Sequence, residues 1–78
     1  MTLEIITPEK VLFTGEVFSV QLPGAKGSFG VLNNHAPLIS SLKKGKVKIK
    51  NKDNKITYID ISGGTVQVEN NHILILTE

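Results

Sequence analysis

Lys46-Val47-Lys48-Ile49-Lys50, then Asn51-Lys52-Asp53-Asn54, then Lys55-Ile56-Thr57-Tyr58-Ile59-Asp60-Ile61 is the stretch that decides the fold class. It lies in the longest run free of Gly and Pro, Lys46 to Ser62, where a helix would be expected if the chain made one. The apolar residues instead recur with period two, which suits a strand with one buried face. An Asn/Asp turn interrupts the alternation, and a run rich in β-branched and aromatic residues resumes it, which is a hairpin signature. Val47 and Ile49 are expected to face the core, and Lys46, Lys48 and Lys50 to face water.

The same reading extends outward in both directions. Thr65 to Glu69 alternates, with Val66 and Val68 inward. Asn70-Asn71 then supplies residues that tolerate positive φ, and Ile73-Leu74-Ile75-Leu76 runs apolar on both faces. That last run is expected in the middle of a sheet, covered on both sides. Toward the amino end, Leu3 to Ile6 is a short strand ended by Thr7-Pro8, and Val11 to Phe13 is another, stopped by Thr14-Gly15. Glu16 to Leu22 reads as one strand, with Val17, Ser19 and Gln21 on one face and Phe18, Val20 and Leu22 on the other. Pro23-Gly24 marks a turn. Phe29 to Leu32 and Leu38 to Leu42 complete the set, with Phe29 and Val31 assigned to opposite faces, so that at least one of them is core. Strands this short, with turns every eight to ten residues, predict an all-β fold. It should be a single small β-sandwich or flattened barrel of about nine to ten short, mostly antiparallel strands, forming one domain over 1–78.

Composition agrees and narrows the function. Of the 78 residues, 40% are hydrophobic and 21% charged, as in a folded chain. Cysteine is absent, which removes disulfides, thiolate metal sites and thiol nucleophiles. No apolar run is long enough to span a membrane, and no signal peptide is evident. All nine basic residues are lysine, and seven of them fall between Lys43 and Lys55. Without arginine there is no planar fork to grip phosphates or read guanine edges. A lysine cluster on a sheet ordinarily solvates a face or blunts an edge.

The residues that could carry chemistry are few. His72 opens an apolar strand just after a turn, which suits a surface strand end. His35 sits in the loop Asn33-Asn34-His35-Ala36-Pro37. Ser40, Ser41 and Asp60 can be written into a triad with His35, yet no strained nucleophile turn positions them. Gly24, Gly27 and Gly30 imitate a phosphate loop, but no helix follows to present its N-terminus. Catalytic, metal and cofactor sites are therefore not expected. Two binding readings have partial support. Lys26-Gly27-Ser28-Phe29-Gly30-Val31-Leu32 resembles the single-strand-binding strand of cold-shock barrels, which uses aromatic faces beside basic residues. Lys52, on a hairpin tip, resembles the modified lysine of a biotinyl or lipoyl carrier, although Asn51 and Asp53 flank it where the biotinyl motif has methionines.

A longer resemblance covers the chain in order and without large gaps. Gly27-x-Phe29-Gly30-Val31-Leu32-x-x-His35-Ala36-Pro37-Leu38 is similar to the epsilon subunit of the rotary ATP synthase. The match continues in the Thr-Pro turn and Phe13-to-Gly15 step, in Leu42 to Gly45, and in Ile61-Ser62-Gly63-Gly64 before a final hairpin. The resemblance implies a β-sandwich of the central stalk, binding the gamma subunit and resting on the polar loops of the membrane c ring. It implies a mechanical coupling role in ion-driven ATP synthesis, with no catalysis of its own, peripheral at the cytoplasmic face of the inner (plasma) membrane. The alternative is a small basic β-barrel binding single-stranded nucleic acid. Under the stalk reading no nucleic acid, direct membrane insertion or bound nucleotide is expected.

The residues placed at partner interfaces by this resemblance are Lys26, Gly27, Ser28, Phe29, Val31, Asn34, His35, Pro37, Leu38 and Leu42. Ser28 stands where many members carry an acidic residue thought to face the c-ring loops, so no ionic contact is expected there. Asn33-Asn34 replaces the usual Pro-Gly, and Asn can preserve the turn by adopting left-handed φ. The chain stops at Glu78, where the family's sandwich ends, before its C-terminal two-helix hairpin. Neither hairpin-mediated inhibition nor a hairpin nucleotide site is expected.

Overall fold

The computed structural model describes the whole chain, Met1–Glu78. The alternating segments form nine strands and no helix. They are β1 (Thr2–Ile6), β2 (Val11–Glu16), β3 (Ser19–Leu22), β4 (Phe29–Leu32), β5 (Leu38–Leu42), β6 (Gly45–Lys50), β7 (Ile56–Ile61), β8 (Gly64–Glu69) and β9 (His72–Thr77). They assemble into a five-stranded sheet A, ordered β2-β1-β9-β8-β5, and a four-stranded sheet B, ordered β4-β3-β6-β7. Every strand pairing is antiparallel except β1 with β9, which run parallel in register from Thr2↔His72 to Ile6↔Leu76. The two sheets face each other as a β-sandwich, the expected fold class.

The core lies between the sheets and is built from the inward half of each alternation. Sheet A contributes Leu3, Ile5, Leu42, Val66, Val68, Ile73 and Ile75, and sheet B contributes Val20, Leu22, Val31, Val47, Ile49 and Ile61. Val17 completes it at the crossover between the sheets. Thr77 is the one buried side chain with a polar group, and its hydroxyl donates to the Gly63 carbonyl at 2.5 Å. The β6–β7 hairpin takes the form its sequence predicts, with Lys48↔Tyr58 and Val47↔Ile59 opposed. In the β8–β9 hairpin both Asn70 (φ 50°) and Asn71 (φ 61°) are left-handed, as a two-residue turn matching the strand twist requires.

Four expectations need correction. Glu16 to Leu22 is two strands, not one. The Val17 N–H bonds the Met1 carbonyl on sheet A (2.9 Å), while the Phe18 N–H bonds the Lys50 carbonyl on sheet B (2.7 Å). The chain changes sheets between them, so Val17 turns inward at 6% exposure and Phe18 outward at 54%. Second, β2 does not stop at Phe13. It continues through Thr14-Gly15 to Glu16, because Gly15 pairs with Leu3 in the ladder. Third, Phe29 and Val31 share the inner face of β4, as residues two apart in a strand must, and both pack on the core. Fourth, β9 does occupy the middle of sheet A, with Ile73 and Ile75 fully buried, but only one face is covered. Leu74 is half-buried and Leu76 is 46% exposed, because no second layer lies over the outer side of sheet A.

Gly64 shows how closely the second hairpin closes. Its φ is +142°, and a Cβ there would sit about 2.0 Å from the Leu76 carbonyl oxygen. Backbone atoms cannot yield as a flexible side-chain end can, so Gly64→Ala should destabilise the fold more than the usual Gly-to-Ala change at a relaxed position. In urea unfolding, Ile75→Ala should lower stability by about 3 kcal/mol through lost burial and a residual cavity. Lys46→Gln, which removes an exposed 2.8 Å pair with Asp60, should cost less than about 1 kcal/mol.

Candidate functional site

The residues singled out from the sequence do not form one patch. The β3–β4 turn carries Lys26, Gly27 and Ser28, all exposed, at one end of the sandwich. The β4–β5 loop carries Asn34, His35 and Pro37 at the other. The four residues of β4 separate the two groups by roughly 13 Å. Both groups are reached from the same side, because β4 and β5 are edge strands of the two sheets and are consecutive in the chain.

At the first end, the turn is seated against β5. The Ala25 N–H donates to the Ser41 carbonyl (2.9 Å), the Lys43 N–H donates to the Pro23 carbonyl (2.9 Å), and Gly24 bridges to Leu42. The Phe29 ring lies over Gly24, where a Cβ would come within 2.8 Å of it. Glycine there lets the turn fold flat on the ring. Gln21 Nε2 donates to Ser28 Oγ at 2.7 Å, which fixes the tip. A shallow groove runs between this turn and the outer side of Ile39, Ser40 and Ser41.

At the other end, asparagines hold the His35 loop. Asn71 Oδ1 accepts from the Asn34 N–H at 2.8 Å, and Asn71 Nδ2 donates to Asn33 Oδ1 at 2.9 Å. Asn34 is left-handed at φ 62°, the conformation expected of a replacement for the usual Pro-Gly, and the His35 N–H closes the turn on the Leu32 carbonyl. His35 is half-buried, with Nδ1 2.7 Å from the Ala36 carbonyl. Nothing brings Ser40, Ser41, His35 and Asp60 together. Ser40 Oγ bonds the Ser41 carbonyl and Asp60 pairs with Lys46, so the paper triad has no geometry.

Two candidates must be withdrawn as contact residues. Val31 is fully buried and Leu42 is 6% exposed, since both point between the sheets and offer a partner no surface. Phe29 and Leu38 are partly buried and pack against the core, so they shape the edges more than they present them. The sequence reading missed Ile39, which at 76% is the most exposed large apolar residue in the chain, and Leu32, at 60%. Alternation on β5 held the signal: with Leu38 and Leu42 inward, Ile39 had to point out. His72, at the start of β9, meets Glu4 at 3.1 Å and Thr2 Oγ1 at 2.5 Å, a strand-end surface role.

Comparison with known proteins adds a family. The model of the ATP synthase delta/epsilon chain β-sandwich domain matches residues 1–78. An ATP synthase epsilon chain from Chlorobaculum tepidum is 46% identical over 77 residues, covering 99% of this chain and 88% of its own. One from Caulobacter vibrioides is 48% identical over 75 residues, covering 95% of this chain and 85% of its own. A third, from Leptospira borgpetersenii, is 42% identical over 78 residues, but this chain spans only 61% of it. Among solved structures, a chain of the Euglena gracilis mitochondrial ATP synthase (OSCP/F1/c-ring) superposes with a TM-score of 0.90 at 23% identity. That alignment covers 96% of this chain and 48% of that one. At that identity the likeness establishes the fold.

The asparagine clasp generates a direct test. Asn71→Ala removes both bonds to the loop and should cost about 1–2 kcal/mol. Hydrogen exchange should show the Asn34 amide losing protection while the amides of β6 keep theirs.

Proposed function

This chain belongs to the ATP synthase delta/epsilon family, as its β-sandwich domain, and from that premise we propose that it is a non-catalytic central-stalk subunit of a rotary ATP synthase. In this role it binds the gamma subunit and meets the polar loops of the c ring, so that rotation driven by ion flow is passed to the nucleotide-handling subunits. Its place is peripheral, at the cytoplasmic face of the inner (plasma) membrane. In this role the sandwich holds no nucleotide.

The observation that supports this reading most is the pairing of a family match over residues 1–78 with an edge built for contact. Beside the two anchored polar loops, Ile39 is exposed on the outer face of sheet A and Leu32 on the outer face of sheet B. Apolar residues ringed by polar groups are the usual make-up of a protein interface. Within that arrangement, Ile39, Asn34, His35 and Pro37 are assigned to gamma, and Lys26, Gly27 and Ser28 at the far end to the c-ring loops. Ser28 offers a neutral hydroxyl, so its contact with the c-ring loops is a hydrogen bond without an ion pair. The Leptospira borgpetersenii relative is an ATP synthase epsilon chain and the Euglena gracilis structure includes a c-ring, which supports this proposal.

Size-exclusion chromatography and calorimetric titration against the gamma subunit of the Chlorobaculum tepidum synthase test it. The expected result is a stable one-to-one complex, little weakened by salt. Ile39→Asp should weaken it at least about tenfold, as burying an unpaired carboxylate in an apolar contact would. Absence of a complex at micromolar concentrations would sink the stalk reading, and tight binding to single-stranded RNA in its place would favour the basic-barrel alternative.

A further inference from the structure

The lysines of this chain are gathered on one side of the sandwich, and the stalk role leaves them unexplained. Eight of the nine lie on β6, on the turns flanking it, or on the β3–β4 turn, and only Lys10 is elsewhere. The carboxylates are distributed the opposite way. Glu4, Glu9, Glu16, Glu69 and Glu78 belong to sheet A or its rim, leaving Asp53 and Asp60 on the lysine side. The molecule has a basic face and an acidic back.

The outer face of sheet B is laid out in cross-strand rows. One row reads Leu32, Ser19, Lys50, Ile56, and the next Gly30, Gln21, Lys48, Tyr58. Asp60 is the one carboxylate within the strands of this face, and it is taken by Lys46 at 2.8 Å. Lys48 and Lys50 have no carboxylate partner. Lys50 Nζ lies instead 5.9 Å from the centre of the Phe18 ring, too far for more than a weak cation–π contact. Around these ammonium groups stand Leu32, Ile56 and Tyr58, each about half exposed or more. Small residues, Ser19 and Gly30, leave an open depression in the middle of the face, bordered by Lys48 and Lys50.

We propose that the outer face of sheet B adsorbs to an anionic lipid bilayer. The unpaired ammonium groups are spread across two strand rows with apolar side chains between them, an arrangement that suits a broad anionic surface. Lysines on apolar stems can lay those stems along a bilayer surface while their ammonium groups reach headgroup phosphates. Tyr58 has the amphipathic ring favoured at that depth. The acidic back is repelled by the same surface, so the charge distribution also sets the orientation. Nucleic acid fits less well. Arginine is absent, and only two aromatic residues, Tyr58 on the face and Phe18 beside Lys50, are exposed, where a platform stacking successive bases uses more. The contact is interfacial, without insertion.

Vesicle co-flotation tests this with the 78-residue chain. The probes are phosphatidylcholine vesicles, with and without about one-quarter phosphatidylglycerol, at low salt where exposed charges act over roughly 30 Å. The expected result is recovery with the anionic vesicles only, released when salt is raised. Lys48→Gln combined with Lys50→Gln should lower the partition coefficient at least about tenfold, while Lys10→Gln leaves it nearly unchanged. A thermal melt of each variant confirms that the sandwich is intact, and the salt dependence of the unaltered chain tests the proposal should the double variant misfold. Equal recovery with neutral vesicles, or anionic binding that survives the double substitution, overturns the proposal. So does absence of binding to the anionic vesicles at low salt, and retardation of single-stranded RNA in its place would assign the face to nucleic acid. None of these outcomes depends on gamma, so the stalk reading and this one can fail separately.

Discussion

The parallel ladder between β1 and β9 is the constraint on which the rest of the sandwich depends. Its five residue pairs join the two ends of the chain, and Leu3, Ile5, Ile73 and Ile75 beneath it are all fully buried. Without it sheet A divides into a β1–β2 hairpin and a three-stranded β5-β8-β9 piece, neither with enough apolar area to stand alone. Closing that ladder means paying the loop entropy of nearly the whole chain before the central contacts form. A domain of this size buries only about 60% of the surface its unfolded chain exposes. The core is thus thin and concentrated where the two terminal strands pair.

Around that core the surface is divided by chemistry. The open side of β4 and β5 offers exposed aliphatic residues beside two loops that are each held by side-chain amides: Gln21 to Ser28 at one end, Asn71 to Asn33 and Asn34 at the other. The broad faces carry opposite charge. Leu32, at the margin of the basic face, belongs to both regions, whereas Ile39 on sheet A and Lys48 and Lys50 on sheet B stand on opposite sides of the sandwich.

Much of this was legible in the sequence because strand periodicity is local. Val47, Ile49, Val66 and Val68 stand inside as their alternation requires, and the Asn70-Asn71 turn is left-handed as its composition suggests. What alternation cannot encode is a change of sheet. Val17 and Phe18 exchange sides because each is hydrogen-bonded to a different sheet, and those partners, Met1 and Lys50, are remote in sequence. The open back of β9 was hidden for a similar reason. Leu74 and Leu76 look like core residues from composition alone, and only the layer count shows that nothing lies over them. Of the candidate interface, the loops could be placed from their motifs. Val31 and Leu42 needed the burial pattern to be recognised as interior, whereas Ile39 was available from the alternation on β5.

The direction of the β1–β9 pairing has a mechanical consequence. Parallel neighbours at the two termini leave the chain ends at opposite poles of the sheet, Met1 beside the His35 loop and Glu78 beside Ser62. Tension applied between them runs along the shared ladder as shear. The interstrand bonds are then loaded together, where an antiparallel terminal hairpin would peel open one bond at a time. For a small domain with a thin core, that arrangement concentrates resistance to pulling in the strands that hold it together.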